Sequence, residues 1–376
     1  MLTIPPLPSS PLPLLPPVGD RVSLPKFKQV KRGLGGTPPR QVLITNHFYL
    51  MSIFVKYLKQ SGYLDQIDLT LCIVGSRQVQ EFIDIDYSHQ GWEIFAPGLT
   101  IYGFDADEKA CQDRNQQLAQ KKINWTETHI PLAVWNTSGT QTLYQTQHPE
   151  CSSLYPPNEL VINRLDEYAE RHKLISTTSV KTTTLDEFFQ DKTTSIDFLQ
   201  LDVQGGELNV LEGCSQLLEH QILMILVEVS FIELYKNQPL FAEVDIYLRN
   251  QGFTLLDFGK RWNGRRQGIT LMSRQHPGQL VWTDGFYVRD LIRPDQNLGF
   301  KTPDNILKLA CIADIFMFYD YALELLGYLT LNYGDNPQYH LTDVIINSIQ
   351  EHPEIKNLNI ESIPFISKLL KKSHPS

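Results

Sequence analysis

Three apolar stretches of this chain carry an acid at or near their C-terminal end: "LTIYGFD" ends on Asp105, "IDFLQLDV" carries Asp202, and "ILMILVEV" carries Glu228. In an open parallel sheet, ligands bind just outside the carboxyl ends of the strands, so acids delivered there can do chemistry. A carboxylate in that position can accept hydrogen bonds from ribose hydroxyls, orient an amino group, hold an acceptor hydroxyl or take its proton. The plainer alternative for each is to cap the helix that follows. Three such acids along one sheet edge favour a site. Asp202 leads into Gly205 and Gly206, where the backbone can turn sharply, and then into Glu207, which suits a helix N-terminus.

Asp105 closes the second apolar run, where an acid can hold the two hydroxyls of an adenosine ribose. That geometry serves a nicotinamide cofactor or S-adenosylmethionine alike. The preceding loop, "IVGSRQVQEFIDIDYSHQGW", separates them, because a pyrophosphate needs a glycine-rich turn at a helix N-terminus. Only Gly75, with Ser76 after it, follows the strand directly, so a dinucleotide is disfavoured. His89 and His148 fall on expected loops and are alternative bases suited to neutral pH. Ser152, Ser153 and Tyr155 lie on a further loop that can close over a pocket, and the plain reading there is a surface turn fixed by Pro156 and Pro157. In "GKRWNGRRQG", Trp262 can stack on a sugar ring while Arg261, Arg265 and Arg266 pair with an anionic acceptor; a basic hairpin with a packed tryptophan is the alternative. No carboxylate spacing typical of a dedicated metal cage is visible, so a metal requirement stays open.

To position these residues the chain needs a sheet. Apolar runs at 69–75, 99–105, 128–134, 196–203, 222–229 and 253–258 alternate with helical patterns. That arrangement predicts an α/β, doubly wound, mostly parallel sheet covered on both faces. "GITLMS" and "QLVWTDGFYV" are expected to form an antiparallel pair at its edge. Apolar residues at three- and four-residue steps predict a helix within "NHFYLMSIFVKYLKQSGYLDQ", and helical patterns dominate beyond Leu291.

The 376 residues, 42% of them apolar, can bury a large core. A formal charge of −9 and a pI near 5.6 argue against nucleic acid as a partner, since phosphate binding rests on clustered basic residues. Five widely spaced cysteines without a C-x-x-C pair indicate neither a disulfide framework nor a zinc site, and fit a cytoplasmic setting. The proline-broken opening "MLTIPPLPSSPLPLLPPVGD" does not read as a secretory signal and is expected to be a disordered or polyproline-like arm. No membrane span is expected, because the most apolar late segment carries Lys308, Asp314, Asp320 and Glu324.

The stretch "IDFLQLDVQGGELNVLEG" followed by "LVEVSFIELYKNQPLFAEVDIYLRNQGFTLLDF", with "TLDEF" and "CSSLYPPN" upstream, resembles the FkbM family of S-adenosylmethionine-dependent methyltransferases over roughly residues 70 to 290. The resemblance implies a class I methyltransferase (Rossmann-like) sheet, S-adenosylmethionine as cofactor, and methyl transfer to a hydroxyl of a sugar, glycan or related metabolite. The first motif departs from the family, where a D-x-G-x-x-x-G-like pattern is usual; Asp84, Asp86 or Gly91 can substitute. Gly75, Ser76, Asp105, Asp202 and Val203 are the expected cofactor-binding residues. Asp202 serves as base or orients the methionine amino group, Glu228 holds the substrate hydroxyl or a metal, and His148 is the further candidate base. Ser153, Tyr155, Trp262 and Arg265 are expected to contact the acceptor. The expected organisation is an arm at 1–40, the methyltransferase domain at 41–290 and a helical extension at 291–376. The rival reading is a non-catalytic binding module on a degenerate methyltransferase fold.

Overall fold

The computed structural model describes residues 52–77, 91–269, 271, 273–294, 299–351 and 364–373. Of the two units into which the chain divides, Met1–Leu43 lies outside these residues and Ile44–Ser376 contains the fold. Asp84, Asp86 and His89 also lie outside them.

The strands are β1 (Leu69–Val74), β2 (Leu99–Phe104), β3 (Thr126–Ile130), β4 (Ala133–Val134), β5 (Gly139–Thr146), β6 (Leu174–Thr183), β7 (Phe198–Leu201), β8 (Met224–Ser230), β9 (Thr254–Phe258), β10 (Trp262–Gly264) and β11 (Gln279–Val288). The main sheet runs β10-β11-β8-β7-β1-β2-β3, with β9 also paired to β11. The pairs from β3 through β8 are all parallel. β11 runs antiparallel to β8, β9 and β10. Chain order reverses around β1, which lies between β2 and β7, so the carboxyl ends of β1 and β7 form a topological switch point. The doubly wound α/β fold expected from the sequence is the fold observed.

All six residues of β1 are buried, as a strand covered on both faces requires. Leu69, Leu71 and Ile73 face one apolar cluster, which takes in the helices Pro303–Ile315, Tyr319–Tyr333 and Thr342–Glu351. Cys72 and Val74 face the other, built with the helices Leu185–Phe189, Glu207–Glu212, Ser215–His220 and Phe241–Asn250. The C-terminal helices therefore share a core with the sheet. Two buried acids tie them in. Lys308 Nζ lies 3.0 Å from Asp197 Oδ1, and Asp197 Oδ2 accepts from Thr70 N at 2.9 Å. Asp314, fully buried, accepts from the backbone N–H groups of Ile53, Phe54 and Val55 at 2.8–2.9 Å, satisfying donors that open the helix Val55–Gln60.

Three elements differ from the sequence expectation. The run at 128–134 splits: β3 joins the main sheet, whereas β4 joins a second sheet of order β4-β6-β5. That sheet went unread because β6, "LISTTSVKTT", is mostly exposed and lacks apolar alternation. Of the expected edge pair, "GITLMS" lies partly outside the described residues, and those of it that are described form no strand. Its place beside β11 is taken by β10, and β11 is inserted between β8 and β9 instead of lying at an edge. All five cysteines are free and buried. No helix among the described residues is long and apolar enough to cross a membrane.

Candidate active site

Two cavities meet at the carboxyl ends of β1 and β7. The larger, 890 Å³, is lined by Gly75, Asp105, Leu132, Val134, Asp202 and Val203 among others. The smaller, 370 Å³, has Gln200, Glu228, Asp284, Tyr168, Trp262 and Trp282 in its walls. Gly75, Arg77, Glu150, Asp202 and Gln204 border both. Asp105 and Asp202 thus open onto one space.

Close approach of two strands makes the junction. Asp202 N donates to Val74 O at 3.0 Å, and Gly75 N and Ser76 N both donate to Phe104 O. Gly75 has φ +82°, and a Cβ there would lie 1.8 Å from Asp202 O, so only glycine fits where β1 passes β7. At the end of β2, Asp105 Oδ1 accepts from Asp107 N at 2.8 Å and Oδ2 from Arg77 N at 3.1 Å. Burial raises its pKa against those bonds and the Arg77 charge. Asp107 caps the helix Glu108–Lys121 through Ala110 N and pairs with Arg77. Asp105 thus places a hydrogen-bonding carboxylate beside an apolar wall of Phe104, Leu132 and Val134.

The turn after β7 holds Asp202. Gln204 adopts φ +59° and is fixed at three points. Ser153 Oγ donates to its backbone oxygen at 2.7 Å, Tyr235 Oη lies 2.8 Å from its Oε1, and its Nε2 donates to Asp202 Oδ1 at 2.8 Å. Glu207 Oε1 accepts from Val203 N and Gly205 N, so this buried acid closes its own loop. Carboxylate oxygens of Asp202, Glu207 and Glu228 lie within 4.8 Å of one another, and these are the residues that could hold a metal ion.

The acids of the smaller cavity share a sheet face. Leu201 pairs with Val227, so the residues that follow, Asp202 and Glu228, emerge side by side, and Glu228 pairs directly with Asp284 of β11. One rung inward, Gln200 pairs with Leu226, and Leu226 with Phe286. Burial, with the charges of Asp202, Glu207 and Asp284, pushes Glu228 well above the usual carboxylate range. Burial and Asp202 raise Asp284 to about 7. Burial likewise brings Glu207 to about 7.

Of the expected site residues, Gly75, Asp105, Asp202 and Val203 line the larger cavity, and Glu228, Trp262 and Arg265 line the smaller. Arg265 is paired with Asp166 at 2.7 Å, and Trp262 stacks on Trp282 with ring centroids 4.9 Å apart. Ser153 borders the larger cavity, but it is buried and its hydroxyl is engaged by Gln204. The structure does not bring the others there. Ser76 turns its hydroxyl to His129 Nδ1 in a separate 200 Å³ hollow. Tyr155 donates to Asn209 Oδ1, and His148 pairs with Glu150 at 3.2 Å; neither lines either cavity. Sequence reasoning missed Arg77, Tyr168, Gln204 and Asp284. Asp284 had a signal: it is a single acid inside the apolar run "QLVWTDGFYV".

Residues 91–255 match the family described as Methyltransferase FkbM domain. The match is narrower than the resemblance read from the sequence and begins after β1 and its one-glycine loop. No curated protein matches the sequence. Among solved structures, the chain is similar to Methyltransferase FkbM from Methylobacillus flagellatus KT, with a TM-score of 0.32, 9% identity, and 59% of this chain and 43% of that one covered. This chain thus spans less than half of that protein. It is also similar to M. capricolum TrmK in complex with the natural cofactor product S-adenosyl-homocysteine, with a TM-score of 0.29, 9% identity, and 78% and 96% covered.

Proposed function

We propose, from the premise that residues 91–255 of this chain are an FkbM methyltransferase domain, that it transfers a methyl group from S-adenosylmethionine to a hydroxyl of a sugar, glycan or related metabolite. The observation that carries this reading is the shared border of the two cavities. Asp202 faces both, so a donor in the larger and an acceptor in the smaller would meet at its carboxylate.

The larger cavity fits the cofactor by its own residues. Asp105 supplies the acid for ribose hydroxyls, Phe104, Leu132 and Val134 the apolar wall, and Gly75 the close backbone approach. S-adenosylmethionine, when bound, supplies an electrophilic sulfonium methyl. Asp202 has the position to orient the cofactor's amino group or the acceptor, and Gln204 fixes its rotamer. Glu228, whose affinity for protons is raised by burial and by the neighbouring carboxylates, is the candidate base. The acceptor oxygen would form its bond to that methyl carbon as the carbon–sulfur bond breaks, with the electron pair staying on sulfur as the neutral thioether, and Glu228 would take the oxygen's proton. Alignment across the junction can supply about 7–11 kcal/mol of barrier lowering, and a placed base about 10²- to 10⁴-fold.

Calorimetric titration with S-adenosylhomocysteine, followed by a screen for labelled methyl acceptors in a host extract, tests the reading. Saturable binding and a labelled hydroxyl product are expected. Absence of heat at millimolar ligand would favour the non-catalytic binding module, the reading that the one-glycine first motif supports.

A further inference from the structure

The smaller cavity has a charge imbalance. Glu228 is 6% exposed. Among the described residues, nothing donates a hydrogen bond to its carboxylate or to that of the half-buried Asp284, although each is a strong acceptor in the cavity wall. The arginines bordering the cavity are paired with other acids: Arg77 with Asp107, Arg171 with Glu150, and Arg265 with Asp166. The side-chain oxygen of Gln200, also in the wall, is buried without a hydrogen-bond partner. The rings of Tyr168, Trp262 and Trp282 line the same cavity. Acceptors in excess and aromatic rings in the walls are the two features that recognise an organic cation.

We infer that the acceptor carries a basic amine, as an amino sugar or a hydroxylated alkylamine does, and that its ammonium lies on the Glu228–Asp284 pair in the aromatic-lined cavity. This rests on the methyltransferase reading above and names the substrate class of its acceptor cavity. The ammonium donates to Asp284, to one oxygen of Glu228 and to Gln200 Oε1, leaving a neighbouring hydroxyl between the other Glu228 oxygen, which takes its proton, and Asp202 at the border with the larger cavity. An anionic acceptor, the partner expected for Arg265, would instead meet like charge.

A divalent cation fits less well. The oxygens that converge belong to Asp202, Glu207 and Glu228, and Glu207 Oε1 already accepts two backbone bonds, while Asp284 stands outside that group. A hard ion also gains nothing from the rings.

The test is ligand-observed NMR on the full chain, with and without S-adenosylhomocysteine, using glucosamine, 2-aminoethanol and tetramethylammonium against glucose, ethylene glycol and tert-butanol. Among these pairs the charged probes should bind about tenfold more tightly than their uncharged counterparts. That preference should vanish in Asp284→Asn and in Glu228→Gln, with thermal melts confirming that both variants fold. Equal binding of charged and uncharged probes, or a preference that survives both substitutions, would overturn the inference. So would binding of MgCl₂ alone that depends on Glu228 and displaces the charged probes. Titration of S-adenosylhomocysteine alone into the wild type reads the cofactor separately. Its failure would remove the methyltransferase reading while the charge preference remained measurable.

Discussion

Gln204 Nε2 donates to Asp202 Oδ1 at 2.8 Å across a single intervening residue, and Tyr235 Oη holds the other end of the same amide at 2.8 Å. The acid at the border of the two cavities is therefore oriented by a buried tyrosine more than thirty positions downstream. Tyr235 also lies 2.8 Å from Cys151 O, which anchors it. Tyr235→Phe should free the Gln204 amide to rotate and loosen Asp202. Steady-state kinetics should show turnover reduced about tenfold with little change in the Michaelis constant for the cofactor, because alignment is lost and not binding. A change confined to the Michaelis constant would contradict a positioning role.

Asp105→Ala removes an acid that faces the larger cavity while leaving the β2 backbone paired on both sides. Binding of S-adenosylhomocysteine should weaken by about 1.5–3 kcal/mol, the worth of charge-assisted hydrogen bonds to hydroxyls. Calorimetry reads this directly, and unchanged affinity would remove the ribose assignment.

Glu228→Gln keeps shape and removes the base. Turnover should fall by about 10²- to 10⁴-fold while S-adenosylhomocysteine binds as in the wild type. Asp202→Asn should also lower turnover more than cofactor affinity. Single-turnover measurements on the two variants would separate proton removal from orientation, since only loss of the base flattens the rise of rate with pH.

Asp284 makes ligand-free stability depend on pH. Its pKa is about 7 in the fold, where burial and Asp202 oppose ionisation, against an ordinary carboxylate value of 3.8 in the unfolded chain. A carboxyl raised by folding contributes stability that is complete below the unfolded value and lost as pH climbs through the folded one. Glu207, also near 7, and Glu228 act in the same sense. The melting temperature of the ligand-free protein should therefore decline between about pH 4 and pH 8 by this contribution, and Asp284→Asn should flatten that decline. An unaltered pH profile in the variant would show that the carboxyl is solvated.

Asp314→Ala should be strongly destabilising without touching either cavity. It strands the three N–H groups of Ile53, Phe54 and Val55 inside the core, and the loss of charge-assisted bonds there should cost about 3 kcal/mol or more in chemical denaturation. Because the helix it caps packs with the C-terminal helices, hydrogen exchange at residues 53–60 should rise together with exchange at 303–315.

The sequence by itself determined the parallel core and part of the site. Runs such as "LTLCIV" and "MILVEV" are apolar on both faces apart from Thr70 and Glu228, which leaves no solvent-facing side and requires helices above and below. Asp105, Asp202 and Glu228 were legible because each interrupts or ends such a run, where a charge has no place except at a mouth. The tertiary structure alone decided which of these acids face one another. Asp284 reaches Glu228 only because β11 enters antiparallel beside β8, and the pairing of segments more than fifty residues apart follows from competition among strand edges that no local pattern records. Likewise His148 and Tyr155, polar and on expected loops, found partners in Glu150 and Asn209 and lie outside both cavities. Residue type shows what a side chain can do, but the partners brought within hydrogen-bond reach by the fold decide what it does.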